Sequence, residues 1–219
     1  MPRPPTSTTW GRHFGAPTLL AALAGLVYLA PVAQRALEYD RAAILRGEVW
    51  RLMTGHWTHL SLGHLGWDTC VFVLLGVALA RQSRKAWWSC LALAPLTISL
   101  ALFLGAPHWQ TYRGLSGVDS ALFVALAATA WGRETGKGRA LPAAALVLFA
   151  AKIAFETATG STLFTEEVVG SSVVPMAHVV GAATGLLAAL LAARRPRRHE
   201  TDPRTQADPE ALHMTREPL

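Results

Sequence analysis

Gly114-Leu115-Ser116-Gly117-Val118-Asp119-Ser120 opens an apolar stretch that continues to Trp131. Its length sits at the lower end of what a bilayer-crossing helix needs, about 17 residues. It begins on a serine framed by glycines, and packing gives no reason for a hydroxyl there. Further along, His178 stands inside a second apolar run, Val173–Ala193. Membrane interiors exclude such groups unless function keeps them. The reading of these two runs decides the fold class.

The rest of the chain agrees with a membrane setting. Of 219 residues, 52% are hydrophobic and 16% charged, and the mean hydropathy is +0.30. That is too apolar for an ordinary soluble domain and too poor in charge for a disordered one. The formal net charge of +6 is compatible with nucleic acid, but the basic residues fall between apolar runs, where they orient a membrane protein. Cys70 and Cys90 each lie within an apolar segment, with no metal or redox spacing.

Six apolar runs follow one another: Pro17–Leu37, Leu60–Ala80, Ala86–Gly105, Leu115–Trp131, Ala140–Ala158 and Val173–Ala193. The first resembles a signal peptide, with small residues near Ala30 and Ala33, yet the polar stretch before it and the spans after it favour a retained helix. The expected organisation is an irregular N-terminal segment over 1–16, a six-helix all-α membrane domain over 17–193, and a disordered charged tail over 194–219. Arg3 and Arg12 precede the first run, Arg81, Arg84 and Lys85 follow the second, Arg133, Lys137 and Arg139 follow the fourth, and Arg194, Arg195, Arg197 and Arg198 follow the sixth. The alternate connections are less basic: Arg113 lies in one, Glu166 and Glu167 in another. Lys/Arg excess marks the cytoplasmic side, so both termini are expected there, in the cell (inner) membrane. Ser116, His178, His59 and His64 then share one depth, just beneath the outer surface.

Ser116 and Asp119, three apart, fit a capping box that would satisfy backbone N–H groups at a helix start. The same start aims amide donors at developing negative charge. His178 belongs to His-x-x-Gly-x-x-x-Gly with Gly181 and Gly185, and offsets of three and seven put all three on one helical face. Small residues let membrane helices pack closely, and Gly117, Ala121 and Ala125 form a matching stripe. The two runs are therefore expected to touch, bringing imidazole to hydroxyl. A nucleophile needs a base to take its proton, so the pair implies hydrolysis of a bond within the membrane. His56, His59, His64 and Asp68 invite a metal reading, but His-Glu-x-x-His is absent and His59 and His64 stand about 140° apart around a helix. Asp119 reads as a cap, and Lys152 and Glu156 as a pair four residues apart. Trp10, Trp87, Trp88, Trp109 and Trp131 read as interface anchors.

These elements together resemble the rhomboid intramembrane serine proteases. Trp50-Arg51 with Thr54, His59 and His64, Gly-Leu-Ser-Gly at 114–117, and His178 with Gly181 and Gly185 occur in the family's order over about residues 47–190. Gly47-Glu48 before Trp50-Arg51, with Trp67-Asp68, are similar to the rhombosortase branch, associated with bacterial proteins that carry a glycine-glycine C-terminal sorting tail. The resemblance implies a six-helix rhomboid-like bundle and a catalytic dyad without an acidic third member. Ser116 would be the nucleophile and His178 its base. His64 with the Ser116 N–H would bind the oxyanion, and His59 would support local structure. Asp68 stands where the family has an asparagine oxyanion donor. An ionised carboxylate cannot donate, so Asp68 is expected either to stay protonated or to hold His64 in a donating state. Membrane-anchored proteins are the implied substrates, the lipid bilayer the setting, with no cofactor, metal or nucleic acid. Two other functions fit parts of the pattern: a rhomboid-fold protein that binds membrane clients without cutting, and a histidine-rich transporter or metal-binding bundle.

Overall fold

The computed structural model describes residues 8–160 and 175–193. The Glu166–Glu167 connection, the start of the sixth run at Val173 and the charged tail from Arg194 lie outside them.

The first run departs from expectation. Helix α1 (Thr8–Tyr28) begins well before Pro17, which lies inside it, so the segment before residue 17 is not irregular throughout. Proline is tolerated within membrane helices, where neighbours satisfy the freed backbone groups. The break comes instead at Pro31. A residue preceding proline avoids the helical region, and Ala30 lies at φ −115°, ψ 89°. Pro31 then starts α2 (Pro31–Leu37), bent 109° from α1.

The motif Trp50-Arg51…Thr54 holds the end of α2. A helix C-terminus leaves carbonyls without partners, and this motif supplies donors to them. Trp50 Nε1 donates to Ala36 O, Arg51 Nη1 to Arg35 O and Glu38 O, and Thr54 Oγ1 to Leu37 O, at 2.7–3.1 Å. Glu48 pairs with the Arg51 guanidinium from the other side. Arg51 and Thr54 sit on α4 (Arg51–Thr54), with Trp50 at its N-cap, preceded by α3 (Arg41–Leu45), which Asp40 caps through the Ala43 N–H. Strand β1 (Tyr39–Asp40) pairs antiparallel with β2 (Thr111–Tyr112), Tyr39 opposite Tyr112. Arg113 also pairs with Glu38. The early loop is thus fastened to the chain just before Ser116.

Helices α5 (Leu62–Gln82), α6 (Arg84–Gly105), α7 (Ser116–Arg133), α8 (Ala140–Thr159) and α9 (Pro175–Ala193) cover the remaining runs. Ser61 caps α5 through the His64 N–H and Ser83 caps α6 through the Ala86 N–H, both in the usual manner. Among the described residues, α5, α6, α8 and α9 are long and apolar enough to cross a membrane, and the bent α1–α2 pair makes a fifth. Helix α7 does not meet that measure, because it is built to meet protein. Gly117, Val118, Asp119, Ser120, Ala121, Leu122, Val124, Ala125 and Ala127 are all buried along it. A helix screened from lipid has no need of apolarity on every side. Around it lie Phe72, Trp87, Ile98 and Leu102. Trp87 is therefore core rather than an interface anchor: its ring fills the space a side chain at Gly76 would take and packs against Phe72. Trp88 and Trp131 are exposed. Helix α8 contrasts with α7, since only Pro142 and Glu156 are buried on it.

Candidate active site

Helices α7 and α9 meet backbone to backbone. A Cβ added at Gly181 would overlap the Gly117 carbonyl, and one at Gly185 the Ala121 carbonyl. The small stripes on the two sequences interlock as their spacing requires. This approach sets Ser116 Oγ 3.2 Å from His178 Nε2. Ser116 does not cap α7. Leu115 holds the cap position and no side chain closes it, so Ser116 comes one residue too late for a capping box and its hydroxyl is left for the imidazole. Asp119 is buried, and its Oδ1 has no hydrogen-bond partner.

The other nitrogen of His178 is also engaged. Nδ1 lies 3.1 Å from Glu156 Oε2, and Lys152 Nζ donates to the same oxygen at 2.7 Å. The expected Lys152–Glu156 pair is present, and its carboxylate also meets His178. A carboxylate only accepts, so His178 carries its proton on Nδ1 and turns the Nε2 lone pair toward Ser116. The Glu156–His178 contact is invisible in sequence, because a lysine four residues away already accounts for the acid.

A second polar group lies beneath the Gly114–Ser116 turn. Asp68 Oδ2 accepts the Leu115 N–H at 2.8 Å and stands 3.2 Å from His64 Nε2 and 3.4 Å from His59 Nε2. Gly114 has φ +109°, and a Cβ there would meet the His64 ring at 2.7 Å and Asp68 Oδ2 at 3.0 Å. Only glycine suits both the backbone conformation and the space. His59, fully buried, also takes Gln34 Oε1 on its backbone N–H. The buried Tyr112 phenol, brought in by β2, lies beside Ser116 and Gly117. Burial, with Asp68 nearby, raises its pKa, so it keeps its proton.

His56 lies behind Tyr112, its ring edge-on to the phenol at 5.2 Å between centroids. It is fully buried in the Gly55–Trp57 turn, with Nε2 3.0 Å from Pro95 O and 3.1 Å from Ser99 Oγ. Burial lowers its pKa from 6.5 to about 4. The unfolded chain then takes up the proton first, so stability is intact above pH 6.5 and is lost as pH falls toward 4. The loss should reach roughly 3 kcal/mol. Thermal unfolding in detergent between pH 7 and 4 checks this, with His56→Gln as the comparison. A wild-type decline no steeper than the variant's would rule it out.

The family model described as the Rhomboid domain matches residues 46–195. No curated protein matches the chain.

Proposed function

Since the chain belongs to the rhomboid family of intramembrane serine proteases, we propose that it cuts peptide bonds of membrane-anchored proteins with Ser116 as nucleophile and His178 as general base. The observation that carries the reading is the 3.2 Å approach of Ser116 Oγ to His178 Nε2. On this reading Ser116 Oγ attacks the scissile carbonyl carbon as its proton passes to His178 Nε2. His178 returns that proton to the leaving amine as the C–N bond breaks. A water then attacks the acyl-serine ester by the same route, restoring the hydroxyl.

The oxyanion falls to the Ser116 backbone N–H at the start of α7 and to His64. Asp68 takes the second of its two expected parts. It accepts from Leu115 N–H and faces two imidazoles, a surrounding of donors that suits an ionised acceptor. Held against the carboxylate at Nε2, a doubly protonated His64 has Nδ1–H left to give. Asp68 thereby sets the turn carrying Ser116 and supports the oxyanion donor without donating itself.

The basic connections orient the chain with both termini cytoplasmic and the dyad toward the outer side of the inner membrane. Gly47-Glu48-Val49-Trp50-Arg51 and Trp67-Asp68 favour substrates of the rhombosortase type, cleaved near a C-terminal sorting tail. Sparse burial along α8 suits a lateral entrance for such an anchor.

A fluorophosphonate probe is expected to label the purified protein at Ser116, and incubation with an anchored peptide bearing a glycine-glycine tail to give two fragments by mass spectrometry. Labelling and cleavage both absent in folded protein would refute protease function. Cleavage of other anchors, with the glycine-glycine peptide intact, would refute only the substrate class.

A further inference from the structure

We propose that Glu156 is a third member of the catalytic group: a positioning residue that holds the His178 imidazole through Nδ1–H. The proposal rests on the Ser116–His178 reading above and departs from a two-residue mechanism. Glu156 is one of only two buried residues on α8 and is 2% exposed. A buried carboxylate is costly unless donors surround it. Here one oxygen, Oε2, receives both His178 Nδ1–H and Lys152 Nζ. Lys152 keeps part of its side chain exposed, at 21%, while the carboxylate beneath it is enclosed. The line Lys152–Glu156–His178–Ser116 thus runs continuously from helix α8 through α9 to α7.

Among the described residues, two other acids lie near the site, and neither is placed on His178. Asp68 accepts the Leu115 N–H and faces His59 and His64. Asp119, one turn along α7 from Ser116, has an Oδ1 without a hydrogen-bond partner. Glu156 is the acid that meets His178.

The chemical benefit is specific. With Nδ1–H fixed on Glu156, Nε2 is the lone-pair nitrogen and points at the hydroxyl. When the serine proton arrives at Nε2, the imidazolium forms beside a negative charge that was already in place. Glu156 stays ionised throughout and takes no proton. A glutamine there offers its NH2 to Nδ1 as readily as its oxygen, and the opposite tautomer would leave Nε2 protonated and unable to accept. Lys152 acts one step back, keeping Glu156 ionised and in its rotamer.

The test uses the full chain purified in lipid, with an anchored substrate peptide, and compares wild type, Ser116→Ala, Glu156→Gln, Glu156→Asp and Lys152→Met. Glu156→Gln is expected to lower kcat about 10³-fold with KM nearly unchanged. Glu156→Asp, which keeps the acceptor, is expected to recover at least tenfold over the glutamine form, and Lys152→Met to lose about tenfold or less. A helix staple without catalytic part would instead make Glu156→Gln and Lys152→Met lose activity alike, in step with lost thermal stability. That outcome, or a Glu156→Gln kcat within threefold of wild type, overturns the role of Glu156. If Glu156→Gln does not fold, the aspartate form decides: activity no higher than that of Ser116→Ala in a folded protein overturns it. Full cleavage by Ser116→Ala overturns the dyad itself, and Glu156 with it.

Discussion

Ser116→Ala is expected to reduce kcat/KM for an anchored substrate by about 10⁴-fold or more while leaving the fold as stable as before. The two halves of this expectation have separate grounds. On the proposed reading activity depends on one oxygen, because the nearest hydroxyl along α7, Ser120 Oγ, already donates to the Ser116 carbonyl at 2.8 Å. Stability is spared because Ser116 closes no helix cap, so its loss should change unfolding by less than about 1 kcal/mol. His178→Ala should remove a similar share of activity, and the double variant little more, since the two act as a unit. Rates of substrate cleavage beside thermal unfolding in one detergent decide the matter. Cleavage by a folded Ser116→Ala protein at a tenth of the wild-type rate or more would exclude Ser116 as the nucleophile.

Gly181→Val should have the largest structural effect. The first carbon of any side chain at Gly181 would overlap the carbonyl of Gly117, a backbone atom that cannot turn aside. Helix α9 must then withdraw from α7 along its length. Overpacking of this kind costs roughly 3 kcal/mol, and more where backbone is struck. Withdrawal also carries His178 away from Ser116, so the folded fraction that remains should cut poorly. Gly66→Ala is the matched control. Nothing lies within 4 Å of a Cβ at Gly66 on α5, and alanine in a helix is worth about 0.5–1 kcal/mol over glycine. If Gly181→Val unfolds no more readily than Gly66→Ala, the backbone contact between α7 and α9 is wrong.

What the sequence discloses divides along a physical line. The approach of α9 to α7 is legible because it depends on small residues at fixed helical spacing, a one-dimensional pattern. Helix positions are legible for the same reason. Their ends are less so: Pro17 looks like a start but is carried inside α1, whereas Pro31, within the same apolar run, makes the break. Helix α7, counted among the apolar runs, falls short of spanning apolarity, and its buried face carries Asp119 and Ser120. The hidden features are those made by packing. Trp87 reads as an anchor until Gly76 opens room for it. Trp50, Arg51 and Thr54 read as a motif, but that they jointly close the end of α2 appears only when the chain folds back on itself. Glu156 is the clearest case. Its local partner, Lys152, is complete in sequence, and the imidazole arrives from another helix.

The interlocked glycines of α7 and α9 also bear on when the proposed Ser116–His178 pair can assemble. Ser116 is synthesised well before His178, and the contacts that join them require Gly181 and Gly185 to have entered the bilayer. On the proposed reading, a partly translated chain therefore holds the Ser116 hydroxyl without its base. Competence to cleave, on that same reading, then waits for α9 to dock against α7.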